Sequence, residues 1–141
     1  QWATLNQQQS FVTKQATLLT SAPGYAIYRG STGVVIFQAS DGTSRPAPVV
    51  TAATSGALLV TPGVRDVAAD NLVTYLNGTA GTAVTDSTTG SLSNSTALRV
   101  GSNQGSISPA DMEFVAAAIW RRALTASEIS TITTYFQSRV A

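Results

Sequence analysis

Apolar and polar positions alternate in strand-sized runs along the first 110 residues of the chain. Glycine, proline, serine and aspartate separate these runs, and they favour turns because glycine allows positive φ and proline fixes φ. Ten short runs at such spacing are typical of an all-β sandwich or barrel. The predicted strands are 11–19, 25–29, 33–39, 48–52, 57–60, 64–68, 72–76, 82–85, 97–100 and 114–120.

The faces of the early strands follow from the two-residue period. In the second run, Tyr25, Ile27 and Arg29 share one face, whereas Ala26 and Tyr28 share the other. Residues 33–37 of the third run are apolar on both faces, which predicts a central strand covered on both sides.

In the stretch Leu72–Gly78, five strand-forming residues are followed directly by Asn-Gly. Asn-Gly favours a type I′ turn, whose twist matches the two strands that it joins. We therefore predict a hairpin over residues 72–85 whose main role is structural. Contact between its loop and a ligand is the alternative.

The pattern changes to a helical period at the end of the chain. Thr125 and Glu128 form a capping box at the start of a helix predicted over residues 126–138. Leu124 can pack on Ile129 as a hydrophobic staple. One apolar face, expected to lie against the sheets, contains Ile129, Ile132, Phe136 and Val140.

Composition removes several classes of function. The 141 residues suit one domain and contain neither cysteine nor histidine, which excludes disulfides, thiolate zinc sites and histidine-dependent triads. Eight basic residues balance seven acidic ones, so the charge clustering typical of nucleic-acid binding is missing. No apolar run reaches the length of a membrane span, and we expect no membrane insertion.

Three blocks of the sequence occur in an order typical of one known family. They are Leu72-Val-Thr-Tyr-Leu-Asn-Gly78, Ala97-Leu-Arg-Val-Gly-Ser102 and the stretch from Glu113 to Ile129. In this order they resemble the hairpin, the following strand, and the closing strand with helix of laminin-G-like jelly rolls. The resemblance implies a single concanavalin A-like domain over residues 1–141. Its fold would be a two-sheet antiparallel jelly-roll sandwich with a short C-terminal helix.

The resemblance leaves three classes of function open. We favour a non-enzymatic surface module that decorates a virion capsid or tail, or mediates adhesion, through protein or glycan contacts. Its location would be extracellular or on a virion surface. The alternative is a carbohydrate-binding lectin domain that depends on calcium or on stacking alone. A glycoside hydrolase is less favoured, because the acidic cluster of such enzymes is missing and only Asp111 and Glu113 form a close carboxylate pair.

Candidate binding residues follow from these classes, and none is predicted to be catalytic. Aromatic rings can stack on sugars, while Asn and Asp side chains supply hydrogen bonds or calcium ligands. The predicted ligand-binding residues are Trp2, Tyr28, Asn77, Asn103 and Asp111. Two groups could contribute to a calcium site, namely Asp66 with Asp70 and Asn71, and Asn103 with Asp111 and Glu113. The structural alternative for these polar side chains is Asx turns, as also expected at Asp41-Gly42.

Overall fold

Two antiparallel sheets and one helix make up the computed structural model, which describes residues 8–18, 20–50, 58–102, 110 and 112–139. One sheet has the order β4-β3-β2-β1-β9, and in the other β5 and β7 flank β6, which β8 also joins. The two-sheet sandwich predicted from the sequence is confirmed. The elements are β1 (Gln9–Thr13), β2 (Gly24–Arg29), β3 (Val35–Ser40), β4 (Val49–Val50), β5 (Gly63–Asp66), β6 (Asn71–Leu76), β7 (Thr79–Ala80), β8 (Val84–Thr85), β9 (Arg99–Val100) and α1 (Ala126–Ser138).

The core lies between the sheets and uses the strand faces that the sequence predicted. Phe37 and Ala39 of β3 pack with Leu72 of β6, and the partly buried Tyr25 and Ile27 join them. On the opposite face of the five-stranded sheet, Ala26 and Tyr28 pack against Leu18. Strand β3 lies between β2 and β4, so its predicted central position is also confirmed.

Thr74 links the two sheets by hydrogen bonds from within the core. Its side chain is fully buried. The hydroxyl donates to the carbonyl of Pro48 at 2.6 Å and accepts from the backbone N–H of Phe37 at 2.9 Å. A buried polar group must be hydrogen-bonded to be tolerated, and this one satisfies backbone groups of the opposite sheet.

The Asn77-Gly78 hairpin has the predicted form. Both residues have positive φ, at 49° and 83°, as a type I′ turn requires. The Asn77 side chain also accepts from the N–H of Val60 at 2.8 Å and donates to the carbonyl of Leu58 at 3.4 Å. The turn therefore supports the neighbouring chain segment as well as reversing β6.

Helix α1 occupies the predicted residues and is closed at its start by the predicted capping box of Thr125 and Glu128. Its buried side chains are Ile129 and Thr133, whereas Ile132 and Phe136 are only partly buried. Thr133 lies beside Gly78, so the helix packs on the hairpin turn. The predicted position Val140 lies outside the described residues.

Several predicted strands differ from the structure. β1 ends at Thr13, because the chain then turns so that Leu18 covers Tyr28. Residues 114–120, predicted as the closing strand, belong to neither sheet in the described structure, and all of them are exposed. Their three central alanines have a weak strand preference and add little apolar surface, so apolar character alone did not ensure pairing. Residues 51–52 of the strand predicted over 48–52 and residue 57 of the strand predicted over 57–60 lie outside the described residues.

Candidate functional site

Of the five predicted ligand-binding residues, three lie outside the described residues, namely Trp2, Asn103 and Asp111. The prediction of Tyr28 as an exposed stacking residue is wrong, because its side chain is only 1% exposed. The Tyr28 hydroxyl donates to Gln38 at 3.3 Å within the sheet, and burial raises its pKa. Asn77 is exposed, but its amide already holds residues 58–60.

Carboxylates serve mainly as loop anchors in this structure. Asp41 accepts four backbone N–H groups, two from its own turn and two from residues 89–90, which hold its pKa well below the usual range. The predicted turn at Asp41-Gly42 is confirmed. Asp66 similarly accepts from the N–H groups of Ala68 and Ala69. Among the described residues, no group of three carboxylate side chains lies close enough together to hold a metal ion.

Arg65 and Asp86 form a further structural pair. The Arg65 Nε lies 2.5 Å from the carboxylate of Asp86, and Thr88 bonds to both side chains. Burial raises the pKa of Asp86, but hydrogen bonds from Thr88 and Arg65 together outweigh it and leave the pKa below the usual value. This group joins β5 to the chain after β8.

A groove lies beside the hairpin, between the ends of β3 and β4 and strand β7. Its volume is about 650 Å³. Its lining is mostly aliphatic and includes Val34, Val49, Val50, Leu76, Asn77, Thr79, Ala80, Gly81 and Thr82. Neither a charged nor an aromatic side chain is among these residues, so the groove offers few groups that would orient a polar ligand.

A second concavity, here called the Trp120 depression, lies where the chain enters helix α1. Its volume is about 230 Å³. It combines an aromatic ring, an ion pair and two hydroxyl side chains on one surface. The lining residues are Trp120, Arg122, Leu124, Ser127, Glu128, Thr131 and Ile132. The Trp120 side chain is 44% exposed, so one part of its ring packs and another remains accessible.

The polar side of the Trp120 depression is fixed by a bidentate ion pair. Arg122 Nη1 and Nη2 lie 2.9 and 2.6 Å from the two carboxylate oxygens of Glu128. The same carboxylate accepts from the N–H and hydroxyl of Thr125. Arg122 and Thr125 lower the pKa of Glu128 to about 2, so the pair stays charged through the neutral and mildly acidic range. Fixed guanidinium and carboxylate groups form stronger hydrogen bonds than neutral groups do.

The Trp120 depression was missed from the sequence for an identifiable reason. A tryptophan at the end of a predicted strand indicates packing in the core, but Trp120 faces the helix and much of its ring is accessible. The capping box alone accounts for Glu128, and a basic residue such as Arg122 in the turn before a helix is a common surface feature. The available signal was the succession Trp-Arg-Arg two residues before a capping box, which brings one ring, one cation and one carboxylate together.

The Trp120 depression can bind a ligand that has both an apolar face and polar edges. An aromatic face carries partial negative charge and attracts polarised C–H groups. The neighbouring ion pair and the hydroxyls of Ser127 and Thr131 can exchange hydrogen bonds with ligand hydroxyls. A shallow site of this size suits one small ring better than an extended substrate.

Comparison with known proteins identifies the fold. A family model described as the concanavalin A-like lectin/glucanases superfamily matches residues 2–130. Among solved structures, the Ruminococcus gnavus IT-sialidase CBM40 superposes with a TM-score of 0.65 at 16% identity, covering 94% of this chain and 77% of that one. No curated protein matches the sequence significantly. In the part of the chain that the structure describes, no helix is long and apolar enough to cross a membrane.

Proposed function

Because the chain belongs to the concanavalin A-like lectin/glucanases superfamily, we propose that it is a non-catalytic carbohydrate-binding domain acting outside the cell. The observation that carries the proposal is the accessible Trp120 ring beside the Arg122–Glu128 pair. Of the two concavities, only this one offers both a stacking surface and charged hydrogen-bonding groups. The likeness to a carbohydrate-binding module of a sialidase supports the same class of ligand.

Binding would use the two chemical sides of a sugar ring. A pyranose presents C–H groups on one face and hydroxyls around its edge. The C–H face would lie on Trp120, while hydroxyls would donate to Glu128 and accept from Arg122. Because the ion pair is already held in place by the capping box, little side-chain entropy would be lost on binding.

The same geometry argues against catalysis in the Trp120 depression. Hydrolysis of a glycosidic bond normally needs one carboxyl group that is protonated and a second that is ionised. Glu128 is the one carboxylate among the residues that line the depression. With a pKa of about 2, Glu128 stays ionised at neutral pH and cannot supply a proton as a general acid.

A glycan array followed by calorimetry with the hits tests the proposal. We expect native protein to bind a defined glycan and Trp120→Ala to lose about tenfold or more in affinity, since an aromatic contact of this kind contributes on the order of 1–2 kcal/mol. Tyr135→Ala is the matched control, because Tyr135 is an exposed aromatic residue elsewhere on the helix. Thr79→Arg, which would fill the hairpin groove, should leave affinity unchanged.

Two results would refute carbohydrate binding at Trp120. One is a blank array with folded protein, and the other is unchanged affinity in the Trp120→Ala variant. Running the array once with Ca²⁺ and once with EDTA distinguishes calcium-dependent binding from stacking on an aromatic ring. Loss of signal in EDTA would indicate metal-dependent recognition and would contradict the stacking site proposed here.

A second candidate function is that of an assembly module on a virion or cell surface. The exposed apolar segment at residues 114–120 favours it, because a contiguous apolar surface is typical of protein contacts. Co-sedimentation of the purified chain with intact particles or envelopes from its source would test this function. Binding that survives treatment of the particles with periodate, which destroys glycans, would favour protein contacts over carbohydrate recognition.

A further inference from the structure

Residues 113–121 form an exposed segment that no strand of either sheet pairs with in the described structure. All nine side chains are exposed, including those of Phe114 at 47%, Val115 at 49% and Ile119 at 59%. Large apolar side chains that stay in water at adjacent positions are unfavourable unless a partner covers them. The question is which partner fits this particular segment.

The segment is complementary to itself when reversed about Ala117. An antiparallel copy in that register places Glu113 opposite Arg121 and Phe114 opposite Trp120. Val115 then faces Ile119, and alanine faces alanine at the three central positions. Opposite charges, aromatic pairs and β-branched pairs are the cross-strand combinations that stabilise antiparallel strands.

We propose that two copies of this chain associate through residues 113–121, which pair as antiparallel strands with Ala117 on the two-fold axis. Such an interface is isologous, because the same residues of both copies form it and each cross-strand pair away from the axis occurs twice. Pairing would satisfy backbone N–H and C=O groups of the segment and cover its apolar side chains together. The small central alanines would let the two backbones approach closely.

Pairing also affects the Trp120 depression. Phe114 of the partner subunit would lie beside Trp120 and extend the aromatic surface available to a ligand. Each dimer would then carry two equivalent binding sites, which increases avidity for a surface with repeated glycans. This consequence rests on the proposed carbohydrate binding, whereas the pairing itself does not.

The first test is the mass of the full chain in solution, measured by light scattering over a range of concentrations. We expect twice the monomer mass of 14.5 kDa. Ala117→Pro should restore the monomer mass, because proline removes a donor at the centre of the pairing. Val67→Ser is the control, since Val67 is an exposed apolar residue in the turn after β5, outside the segment. Circular dichroism of each variant shows that it remains folded.

Charge exchange tests the register. Glu113→Arg and Arg121→Glu should each raise the dimer dissociation constant about tenfold, because each leaves two symmetric like-charge pairs. The double variant should recover the native value, since it restores opposite charges in the same register. A double variant no better than the single ones would overturn the register and with it the proposal.

A single introduced cysteine gives a covalent readout, because the chain contains none of its own. In the Ala117→Cys variant the two thiols would meet at the axis. Oxidised glutathione would accept their electrons and protons as the disulfide forms. The Val67→Cys variant, treated in parallel, measures the rate of cross-linking that random collision produces. Rapid cross-linking at position 117 alone supports the pairing, whereas equal rates at both positions, or a native chain that stays monomeric at all concentrations, would overturn it.

The two proposals fail separately. A native chain that forms the dimer but gives a blank glycan array would refute carbohydrate binding and leave the pairing intact. A monomer that still binds glycan would refute the pairing and leave carbohydrate binding intact.

Discussion

Replacement of Thr74 by valine tests whether the two sheets are held together by more than apolar packing. Thr74 is fully buried, and its hydroxyl bonds to the Pro48 carbonyl at 2.6 Å and to the Phe37 N–H at 2.9 Å. Valine has almost the same shape as threonine but can form neither bond. The substitution therefore removes the cross-sheet hydrogen bonds without leaving a cavity.

The expected loss of stability follows from the two lost hydrogen bonds. Each intramolecular hydrogen bond contributes about 0.5–1.5 kcal/mol net, and unsatisfied buried partners increase the loss. The Phe37 N–H keeps a longer bond to the Pro48 carbonyl, at 3.3 Å, which limits that increase. We expect the free energy of unfolding to fall by about 2 kcal/mol. For a domain of this size the melting temperature should fall by roughly 6–8 °C.

Urea denaturation and calorimetry measure both quantities on the purified domain. Thr79→Val, on the exposed strand β7, makes the same chemical change at the surface and should alter stability by no more than about 0.5 kcal/mol. A loss at Thr74 as small as that at Thr79 would refute the role of the cross-sheet bonds. The urea m-value should stay constant, because the surface exposed on unfolding is the same.

Three further perturbations probe the helix cap and the hairpin. Thr125→Ala should lower the free energy of unfolding by about 1 kcal/mol, measured by urea denaturation monitored at the helical dichroism band. Gly81→Ala should cost about 1–3 kcal/mol in the same assay, because a Cβ there would clash with the backbone carbonyl of Val49; a neutral effect would contradict this close approach. Glu128 has a pKa lowered from 4.5 to about 2, so its stabilising contribution is complete above pH 4.5 and is lost as pH falls toward 2. In the Glu128→Gln variant, the free energy of unfolding should depend less on pH between 4.5 and about 2. A pH dependence identical to that of the native protein would argue against the ion pair.

Features set by neighbouring residues were predictable from the sequence. The Asn77-Gly78 turn needs only two residues with positive φ between strands, and the helix start needs Thr125 and Glu128 three residues apart. Both signals are local. The helix has the predicted bounds, and the turn has the predicted positive φ angles. The alternation in β2 was predictable for the same reason, since each strand face is fixed by a two-residue period.

Features set by distant residues were not predictable in this way. The exposure of Tyr28 depends on whether the chain after β1 folds back over it, and Leu18 does so. Pairing of residues 114–120 depends on a partner strand, which apolar composition does not specify. The Trp120 depression combines residues before the helix with residues one turn into it, so its shape follows from the direction in which the chain enters α1.

Lys14 is the single lysine of the chain, and its ammonium group donates to the carbonyl of Thr96 at 2.7 Å and, more weakly, to that of Asn94 at 3.5 Å. Reagents that acylate lysine amines would remove the charge of Lys14 and leave it a single amide N–H donor, so the loop at residues 94–96 would be held mainly by the Asn94 amide, which donates to the Lys14 and Pro23 carbonyls at 2.8 Å. Immobilisation on amine-reactive sensor surfaces would therefore disturb the fold at this point. The reactivity of Lys14 toward such a reagent, read by mass spectrometry, reports how often the loop opens.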